Sequence, residues 1–352
     1  MNKSLRTPRH FAIIGAGMAG ISCARTLVQA GHTVTVFEQE SEPGGRMASC
    51  DSPFGTFDDS TQYFTARGPR FIMALETSPR FCKRWSANTI QLIDESGQVG
   101  SSPMSAAEAH WVGVPDMKSL VVGWATDLTD LTDQMELQTC VTHIAPDALK
   151  PSQWQLKAVY LNGAQRVFSG FNAVLLALPS LQAHKLLQNS ELLASWCHPL
   201  EAVQVAPCWT LMLAFPQAMQ PGLSALGPQW NAARSTHHRI AWLARESSKP
   251  GRSTVERWTV QASNAWSQEH LHDDPARVQT KLRKAFAEVT GIHAEPAYVD
   301  SHRWLYAKTI QPLGYSHLWQ PELGLGICGD WCLGHRVEDA FVSGLELALA
   351  VV

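Results

Sequence analysis

The chain has few charged residues and no excess of either sign. Of its 352 residues 17% are charged, and 28 Lys and Arg against 31 Asp and Glu give a formal net charge of −3. Nucleic-acid-binding proteins normally carry a basic patch, so this balance disfavours nucleic-acid binding as the main activity. The sequence also lacks an apolar run of the roughly 18 to 20 residues that cross a bilayer, and we expect no membrane segment.

Cysteine pairs with the spacing of a metal or redox site are missing too. The eight cysteines contain no Cys-x-x-Cys pair, and Cys328 and Cys332 beside His335 lack a fourth ligand nearby. We therefore predict no metal site and interpret the cysteines as buried thiols of a cytoplasmic protein. Tyrosine is scarce, with 5 residues against 13 Trp, and this excess of indole rings suits a bulky core or flat stacking surfaces.

Signals for a hydrolase, a repeat protein or a disordered chain are absent. No Gly-x-Ser-x-Gly occurs, and we find no internal repeat or low-complexity segment. The 45% hydrophobic content excludes disorder, and a chain of this length can form two domains with a sizeable core.

A β-helix-β unit is predicted at the start of the chain. The apolar run His10–Ile14 predicts a buried parallel strand, and residues 19–30 predict a helix closed by Gly31. A second strand is predicted at residues 33–38. The first strand and the helix are joined by Gly15-Ala16-Gly17-Met18-Ala19-Gly20.

Each glycine of this motif has a physical role. Gly15 allows a tight turn, Gly17 lets the backbone approach a pyrophosphate, and Gly20 lets the helix pack closely on the strand. The helix N-terminus offers unpaired N–H groups to phosphate. At the end of the second strand, the carboxylate of Glu38 is expected to accept hydrogen bonds from ribose hydroxyls.

The segment after Glu38 indicates which dinucleotide binds. Glu42-Pro43-Gly44-Gly45-Arg46-Met47 holds a glycine pair that can turn close to ribose and phosphate, and an arginine that can meet phosphate or the flavin edge. These residues resemble the flavin-dependent amine oxidase superfamily, whose members follow the acidic residue with a similar Gly-Gly-Arg segment. The resemblance implies a non-covalently held FAD with Arg46 close to it.

Three later segments resemble the same superfamily. Residues 140–144 look like the strand that flanks the adenine, residues 326–331 are similar to the strand before the aspartate that accepts a ribityl hydroxyl, and residues 337–344 look like the terminal helix that faces the flavin pyrimidine. The cofactor-binding residues implied by motif and resemblance together are Gly15, Ala16, Gly17, Met18, Ala19, Gly20, Glu38, Gln39, Gly45, Arg46, Met47, Gln62, Tyr63, Val141, Gly329, Asp330, Arg336, Val337 and Ala340.

Several strings narrow the resemblance to the renalase-like flavoproteins. They lie at residues 58–67, 111–117, 244–252, 302–304 and 329–332, in the family's order along the whole chain. The resemblance implies oxidation of the isomeric 2- and 6-dihydro forms of NAD(P)H to NAD(P)+ by hydride transfer to flavin N5, with O2 as electron acceptor giving H2O2. Because a dihydropyridine needs no base, no catalytic side chain is expected. The implied substrate cavity is lined by Tyr63, Phe64, Pro115, Gln261 and Trp304.

Departures from the family's pattern leave the substrate open. Ser60 and Thr61 stand where the family has Gly and Ala, Gln261 where relatives often have histidine, and Leu305 where they often have a basic residue. Such changes alter the polarity of a substrate cavity. A flavin amine oxidase or desaturase acting on another small molecule, and a non-catalytic FAD-binding protein, therefore remain as alternatives.

The predicted fold class is α/β. A Rossmann-type FAD-binding domain, similar to that of amine oxidases and p-hydroxybenzoate hydroxylase, is expected at residues 1–80, 120–185 and 300–352. An inserted α+β substrate domain with a mixed sheet is expected at 81–119 and 186–299, with strands near 207–215, 239–243 and 257–262. Asp274-Pro275 predicts a helix start, with Asp274 as N-cap, and Gly291 its end.

Overall fold

The predicted β-helix-β unit is present in the computed structural model of the protein. The structure describes residues 7–85, 90–94, 98–100, 108–126, 135–192, 196–219, 227–228 and 230–352. Strands β1 (His10–Ile14) and β2 (Thr33–Phe37) pair in parallel, and helix α1 (Met18–Gln29) connects them. Gly31 follows the helix with a φ of 85°, in the left-handed region that favours glycine. The local pattern of the sequence therefore predicts this part of the fold correctly.

The chain divides into two units, of which the first consists of Met1–Gly45, Val121–Gln204 and Thr309–Val352. Its main sheet also contains β8 (Met135–Glu136), β12 (Ala173–Leu176), β18 (Leu318–Gln320) and β19 (Leu325–Ile327), in the order β18-β19-β12-β1-β2-β8. Neighbouring strands are parallel except β18 and β19. Strand β1 has a partner on each side and is buried, which explains its apolar run.

A second sheet and several helices complete the first unit. Strands β9 (Thr139–Pro146), β10 (Trp154–Tyr160) and β11 (Gln165–Phe171) are antiparallel. The remaining helices are α4 (Ser180–Asn189), α5 (Cys197–Glu201) and α8 (Val337–Val351), while α3 (Ser119–Thr126) spans the boundary between the units. Helix α8 packs so closely on α1 that a Cβ on Gly344 would lie 2.0 Å from the carbonyl oxygen of Ala19, and only glycine fits there.

The second unit, Arg46–Leu120 and Val205–Lys308, is built on a seven-stranded sheet. In sheet order its strands are β17 (Tyr298–Gln311), β13 (Gln204–Phe215), β16 (Glu256–Ala262), β15 (Ile240–Arg245), β14 (Ala232–Ser235), β5 (Ile90–Ile93) and β6 (Val99–Gly100). Strands β14 and β5 are parallel, whereas β13–β16, β16–β15 and β15–β14 are antiparallel. The predicted mixed sheet is thus confirmed.

The same unit holds a small sheet and three helices. The small sheet has the strands β3 (Phe64–Thr65), β7 (His110–Gly113) and β4 (Cys82–Trp85), and the helices are α2 (Pro69–Glu76), α6 (Asn264–Glu269) and α7 (Pro275–Thr290). Helix α7 has the predicted ends, since the Asp274 side chain caps its first turn and Gly291 has a φ of 73°. Short 3₁₀ turns lie at Gly45–Met47, Pro216–Met219, Glu246–Ser248 and Asp330–Cys332.

Tryptophan fills much of the core. Eleven of the 13 Trp side chains are buried, and Trp304 and Trp319 are the two that are not. In the second unit the Trp258 ring lies 5.2 Å from that of Trp230 and 5.7 Å from that of Phe286 on α7. The core interpretation of the tryptophan excess therefore holds for most of these residues.

The units divide the chain at other positions than predicted. The first unit ends its first piece at Gly45 rather than near residue 80, because residues such as Phe64 of β3 pair with β7 of the second unit. Its second piece extends to Gln204, since Ser190 after α4 accepts the N–H of Ile144 on β9 at 2.9 Å. Its third piece begins at Thr309. The assignment of cofactor and substrate to these units stays a prediction.

The cysteines are not all buried. Cys140 on β9 is exposed, and Cys50 and Cys208 are partly exposed, so the interpretation of every cysteine as a buried thiol was wrong; the Cys197 side chain lies outside the described residues. Within the described ranges, no helix has both the length and the apolar character needed to cross a membrane. The same residues contain no group of three His, Cys, Asp or Glu side chains that could hold a metal ion.

Candidate functional site

The glycine motif of the first unit forms a turn that excludes side chains at two positions. Gly15 has a φ of 106°, and a Cβ there would lie 2.5 Å from the carbonyl oxygen of Ala177. A Cβ on Gly20 would lie 1.9 Å from the carbonyl oxygen of Gly15. The helix therefore starts in direct contact with the strand end, which is the geometry expected of the first and third glycines.

Gly17 differs from the other two because a side chain would meet open space. The nearest atom to its Cβ position is the Cα of Gly45, at 4.0 Å. Gly44 donates its N–H to the Ala16 carbonyl at 3.1 Å, so the two glycine turns lie side by side. Gly17 also caps α1 without a side chain. The space beside it is a cradle at a helix N-terminus, and a cradle of this kind suits a pyrophosphate.

Glu38 is brought to this cradle. One carboxylate oxygen accepts the N–H of Ala16 at 2.7 Å, and the other accepts the N–H of Glu40 at 3.0 Å. Burial raises the pKa of Glu38, and these two hydrogen bonds partly oppose the rise. Each oxygen keeps further acceptor capacity, so the carboxylate could also accept a ribose hydroxyl.

The predicted adenine strand lies next to Glu38. Thr139 at the start of β9 donates its N–H to the Glu38 carbonyl at 2.8 Å, and Val141 follows two residues later with 8% of its surface exposed. Among the other predicted cofactor residues, the side chains of Met18, Ala19 and Met47 are buried, that of Arg46 is half-buried, and that of Gln39 is exposed.

The end of the chain supplies the remaining predicted cofactor residues of this unit. Gly329 donates its N–H to the Ser343 hydroxyl at 2.9 Å, and Asp330 begins a 3₁₀ turn with its side chain buried. The Asp339 carboxylate accepts the N–H of Arg336 at 2.9 Å, and this hydrogen bond caps α8, which begins at Val337. Ala340 lies in the first turn of the helix. Residues 324–329 repeat the Gly-x-Gly-x-x-Gly spacing, but they run through β19 into the 3₁₀ turn rather than into an α-helix.

In the second unit, Asp58 is the centre of a buried ionic cluster, defined here as Asp58, Glu246, Lys249 and Arg252. One Asp58 oxygen lies 2.8 Å from Lys249 Nζ and 2.7 Å from an Arg252 nitrogen, and Lys249 also lies 2.9 Å from Glu246. All four side chains are fully buried. Burial alone would raise the pKa of Asp58, but the two cations outweigh it and lower the pKa to about 2.

Gln62 belongs to the surroundings of this cluster. Its side-chain oxygen lies 3.4 Å from Lys249 Nζ, and its side-chain nitrogen donates to the main-chain carbonyl of Asp58. The residue is buried. Its amide is thus already hydrogen-bonded within the second unit, and its predicted contact with a cofactor stays a prediction.

Two predicted substrate residues contact the loop that follows Asp58. Trp304 on β17 donates its indole N–H to the Asp59 carbonyl at 3.0 Å, and Gln261 on β16 donates its side-chain amide to the Ser60 carbonyl at 2.5 Å. Ser60 and Thr61 are the residues that depart from the family pattern. The structure therefore brings Gln261 and Trp304, which come from different strands, to neighbouring residues of the loop that contains Ser60 and Thr61.

Tyr63, at the end of this loop, lies in an aromatic group. Its ring lies 4.7 Å from His110, 5.2 Å from Trp242 and 6.3 Å from Trp85, and its hydroxyl accepts a hydrogen bond from Arg234 at 3.3 Å. The side chain is partly exposed. The rings of the group are tilted against one another, and the partly exposed Tyr63 ring is the one that could stack on a planar ligand.

The other two predicted substrate residues lie elsewhere in the second unit. Phe64 packs against Phe71 and is 3% exposed, which is the position of a core residue. Pro115 is exposed and lies next to Gly251.

Comparison with known proteins adds to this geometry. A family model of the NAD(P)-binding Rossmann-like domain matches residues 13–76. An L-amino-acid oxidase of Daboia russelii is 51% identical over 45 residues, which are 13% of this chain and 9% of that protein. A putative L-amino-acid oxidase of Bacillus subtilis is 45% identical over 65 residues, or 18% of this chain and 13% of that protein. The chain thus spans about a tenth of the length of the curated relatives it matches.

Solved structures resemble the whole chain. A putative protoporphyrinogen oxidase of Exiguobacterium aligns over 98% of this chain and 99% of its own chain, with a TM-score of 0.74 and 12% identity. Cyclohexylamine oxidase of Brevibacterium oxydans covers 98% of both chains, with a TM-score of 0.72 and 13% identity. The chain has the fold of the flavin amine oxidases. The predicted α/β fold class is confirmed, and the predicted flavin cofactor agrees with this flavin amine oxidase fold.

Sequence reasoning missed the ionic cluster and the setting of Asp59. Within the flavin amine oxidase fold, Asp58 and Lys249 meet although 191 positions separate them. Both residues stood in strings used for the family resemblance, but no local pattern shows that they pair. The sequence offered only a weak signal for the cluster. Asp58-Asp59 and the Glu246-x-x-Lys249 pair are charged residues next to apolar segments that are otherwise suited to a core.

Replacing Gly17 with alanine is expected to weaken FAD binding strongly and to leave the apoprotein folded. The added methyl group makes an ordinary van der Waals contact with the Gly45 Cα at 4.0 Å, but it enters the cradle that would receive the pyrophosphate. We expect the purified variant to lose most of its flavin absorbance while its thermal midpoint without flavin stays within a few degrees of the wild type. Gly100→Ala, on an exposed strand, is the matched control and should retain flavin. Full flavin content in Gly17→Ala would show that the cradle is not the binding site.

Proposed function

We propose that this protein is an FAD-dependent oxidoreductase of the oxidase type. The single observation that carries the proposal is the cradle of the first unit, where two glycine turns, a helix N-terminus and the buried Glu38 carboxylate meet. The flavin amine oxidase fold and the oxidase names of the similar proteins support the same class. Membership of this class requires a bound FAD and a reduced small molecule as substrate.

The residues present fit the cofactor. The N–H groups at the start of α1 would hold the pyrophosphate, Glu38 a ribose, and Asp330 with the start of α8 the flavin end. None of the eight cysteines occurs in a recognisable attachment sequence, so we propose non-covalent binding. When bound, FAD supplies the two-electron acceptor that takes a hydride and is reoxidised by O2 to give H2O2.

For the substrate we propose isomeric dihydronicotinamide nucleotides, in the manner of renalases. The strings at residues 58–67, 244–252 and 302–304 support this substrate, and two of them meet at the Asp59 carbonyl that Trp304 contacts. Trp304 and the ring group around Tyr63 would stack on a planar ring, and Gln261 would fix the loop between them. These residues position the substrate and need not remove a proton, because hydride loss makes the dihydropyridine aromatic.

Oxidation of a small amine is the second candidate. It is favoured by the cyclohexylamine and putrescine oxidases among the similar structures and by the buried Asp59 carboxyl group, which has no Lys or Arg partner among the described residues. A carboxylate can receive the proton that an ammonium group must lose before its carbon gives up a hydride.

Two spectra test the proposal. The purified protein is expected to show flavin absorbance, and anaerobic addition of the 2- or 6-dihydro isomers of NAD(P)H is expected to bleach it within seconds, whereas ordinary NADPH leaves it unchanged. Bleaching by amines alone would favour the second candidate. Bleaching by none of these compounds would favour a non-catalytic FAD-binding protein, and absence of flavin would overturn the proposal.

A further inference from the structure

Two adjacent carboxylates in the second unit have opposite environments. Asp58 is paired with Lys249 and Arg252, as described above. Asp59 has no such cation within the described part of the chain. Its Oδ2 lies 3.6 Å from His302 Nδ1, and its Oδ1 is buried without a hydrogen-bond partner there. The side chain of Asp59 is only 6% exposed.

A buried carboxylate without a counter-ion is unfavourable, so Asp59 holds its proton up to neutral pH. Burial is the main reason that its pKa rises to about 7. A hydrogen bond from the main-chain N–H of Asp59 lowers the pKa in part, and the charges of Asp58, Glu246 and Asp300 raise it. The titratable groups around it come from three segments: Cys50 and Asp58 from its own part of the chain, Glu246 from the 3₁₀ turn, and Asp300 and His302 from β17. Asp58 and Glu246 are paired with the cations of the ionic cluster, but their charges and that of Asp300 still raise the pKa of Asp59, and a positive charge beside it would be attracted.

Two aromatic rings lie at Asp59, that of His302 at its carboxyl group and that of Trp304 at its main chain. The Trp304 indole donates to the Asp59 main-chain carbonyl, and its ring lies 4.4 Å from the His302 ring. His302 is 47% exposed, so this ring pair reaches the surface. The Asp59 carboxyl group thus lies beside the His302 ring, and the Trp304 ring lies next to that ring. Ionised carboxylates and aromatic faces both attract a positively charged nitrogen.

We propose that Asp59, together with the His302–Trp304 ring pair, binds a cationic nitrogen of the substrate or product. The proposal rests on the proposed function and deepens it. When a hydride leaves a carbon next to nitrogen, the C–H bond breaks with both electrons, which go to FAD. The nitrogen lone pair then forms a C=N bond and the nitrogen becomes positive. A dihydropyridine becomes a pyridinium in this way and an amine becomes an iminium, so a carboxylate favours both reactions.

The site should bind a cation more tightly at higher pH. Below the pKa of about 7, Asp59 is neutral and carries no charge to attract a cation. Above it the carboxylate is present, and a bound cation stabilises that charged form further. Binding of a cation near neutral pH should therefore release a proton from Asp59.

Binding of a small pyridinium tests the proposal without turnover. The probe is the 1-methylnicotinamide cation, and neutral nicotinamide is its uncharged match; both are titrated into the purified protein by calorimetry at pH 6 and pH 8. We expect the cation, but not nicotinamide, to bind about tenfold more tightly at pH 8. In Asp59→Asn this preference and its pH dependence should disappear. Asp300→Asn, which removes a nearby exposed acid, is the matched control. It should keep the preference and a pH dependence that moves to slightly lower pH, because the Asp300 charge raises the pKa of Asp59.

Further measurements keep the test valid if Asp59→Asn does not fold, and they distinguish a pyridinium from an ammonium ligand. Asp59→Asn should be at least as stable as the wild type at pH 8, because a raised carboxyl pKa means that ionisation destabilises the folded state. If it does not fold, wild-type titrations in two buffers of different ionisation enthalpy still count the proton released by the cation. Benzylammonium compared with benzyl alcohol shows whether an ammonium binds in the same way as the pyridinium.

Equal binding of cation and neutral probe at both pH values, or full binding by a folded Asp59→Asn, overturns the proposal. Cation binding that depends on Asp59, in a protein whose flavin is bleached by neither isomeric dihydronicotinamides nor amines, would leave this site standing and reject the proposed function. Flavin bleaching without any preference for the cation would do the reverse.

Discussion

Replacing Lys249 with methionine is expected to lower the free energy of unfolding by about 3 to 5 kcal/mol at pH 7. The substitution keeps a long side chain in the buried ionic cluster but removes its charge. Among the residues that the structure describes, Asp58 then keeps Arg252 as its one ion-pair partner, and Glu246 loses its contact at 2.9 Å. Because the cluster is fully buried, water cannot replace the lost cation. Chemical denaturation followed by tryptophan fluorescence measures the change.

The pH dependence of this variant gives a second measurement. The cations hold the pKa of Asp58 at about 2, so its carboxylate stabilises the folded state above pH 4 and loses that contribution as the pH falls towards 2. Without Lys249 the pKa of Asp58 should rise, and acid unfolding should begin at a higher pH. Lys284→Met, which removes an exposed pair with Glu288 at 3.9 Å, is the control and should cost less than about 1 kcal/mol. A cost as small for Lys249→Met would mean that the cluster contributes little to stability.

The second large effect is expected for Gly20→Ala, which should lower the free energy of unfolding by about 3 kcal/mol and abolish flavin binding. The new Cβ would lie 1.9 Å from the Gly15 carbonyl oxygen and 3.2 Å from the Ala177 side chain. Both neighbours belong to the turn and the sheet, so relief of the clash must move α1 away from β1. The N–H groups that would hold the pyrophosphate move with the helix. Denaturation and flavin absorbance measure the two effects.

Gly17→Ala separates the two causes of flavin loss. Both variants add one methyl group within the same motif, but the methyl group at position 17 has no neighbour closer than 4.0 Å. We therefore expect flavin loss with stability retained at position 17, and flavin loss with lowered stability at position 20. Equal stability of the two variants would contradict the close packing of α1 on the strand end.

Local structure could be predicted because its causes are local. The β1–α1–β2 unit follows from one apolar run, one helical period and glycines at fixed spacing, and α7 follows from an N-cap, a proline and a terminal glycine. The motif also predicted that Glu38 would lie near the glycine turn, since parallel strands joined by a helix end at the same edge of a sheet. Family resemblance extended this to the fold class and the cofactor.

Boundaries and side-chain environments were not predictable in the same way. Residues 46–80 follow the glycine turns in sequence but belong to the second unit, where Phe64 and Thr65 pair with β7, and only the sheet partners decide this. Phe64 stands beside Tyr63 in the chain, yet Phe64 is buried against Phe71 and Tyr63 is partly exposed next to Arg234, and only tertiary contacts decide this difference.

The sequence by itself determined the dinucleotide motif, the α/β class and the flavin hypothesis, because spacing along the chain controls turns, helix starts and strand ends. Tertiary structure alone decided the states of Asp58 and Asp59. The two residues have the same chemistry and are adjacent, but Lys249 and Arg252 reach only the first, and burial beside other acids leaves the second protonated up to neutral pH. Charge in a protein interior depends on partners brought together from distant segments, and folding selects those partners.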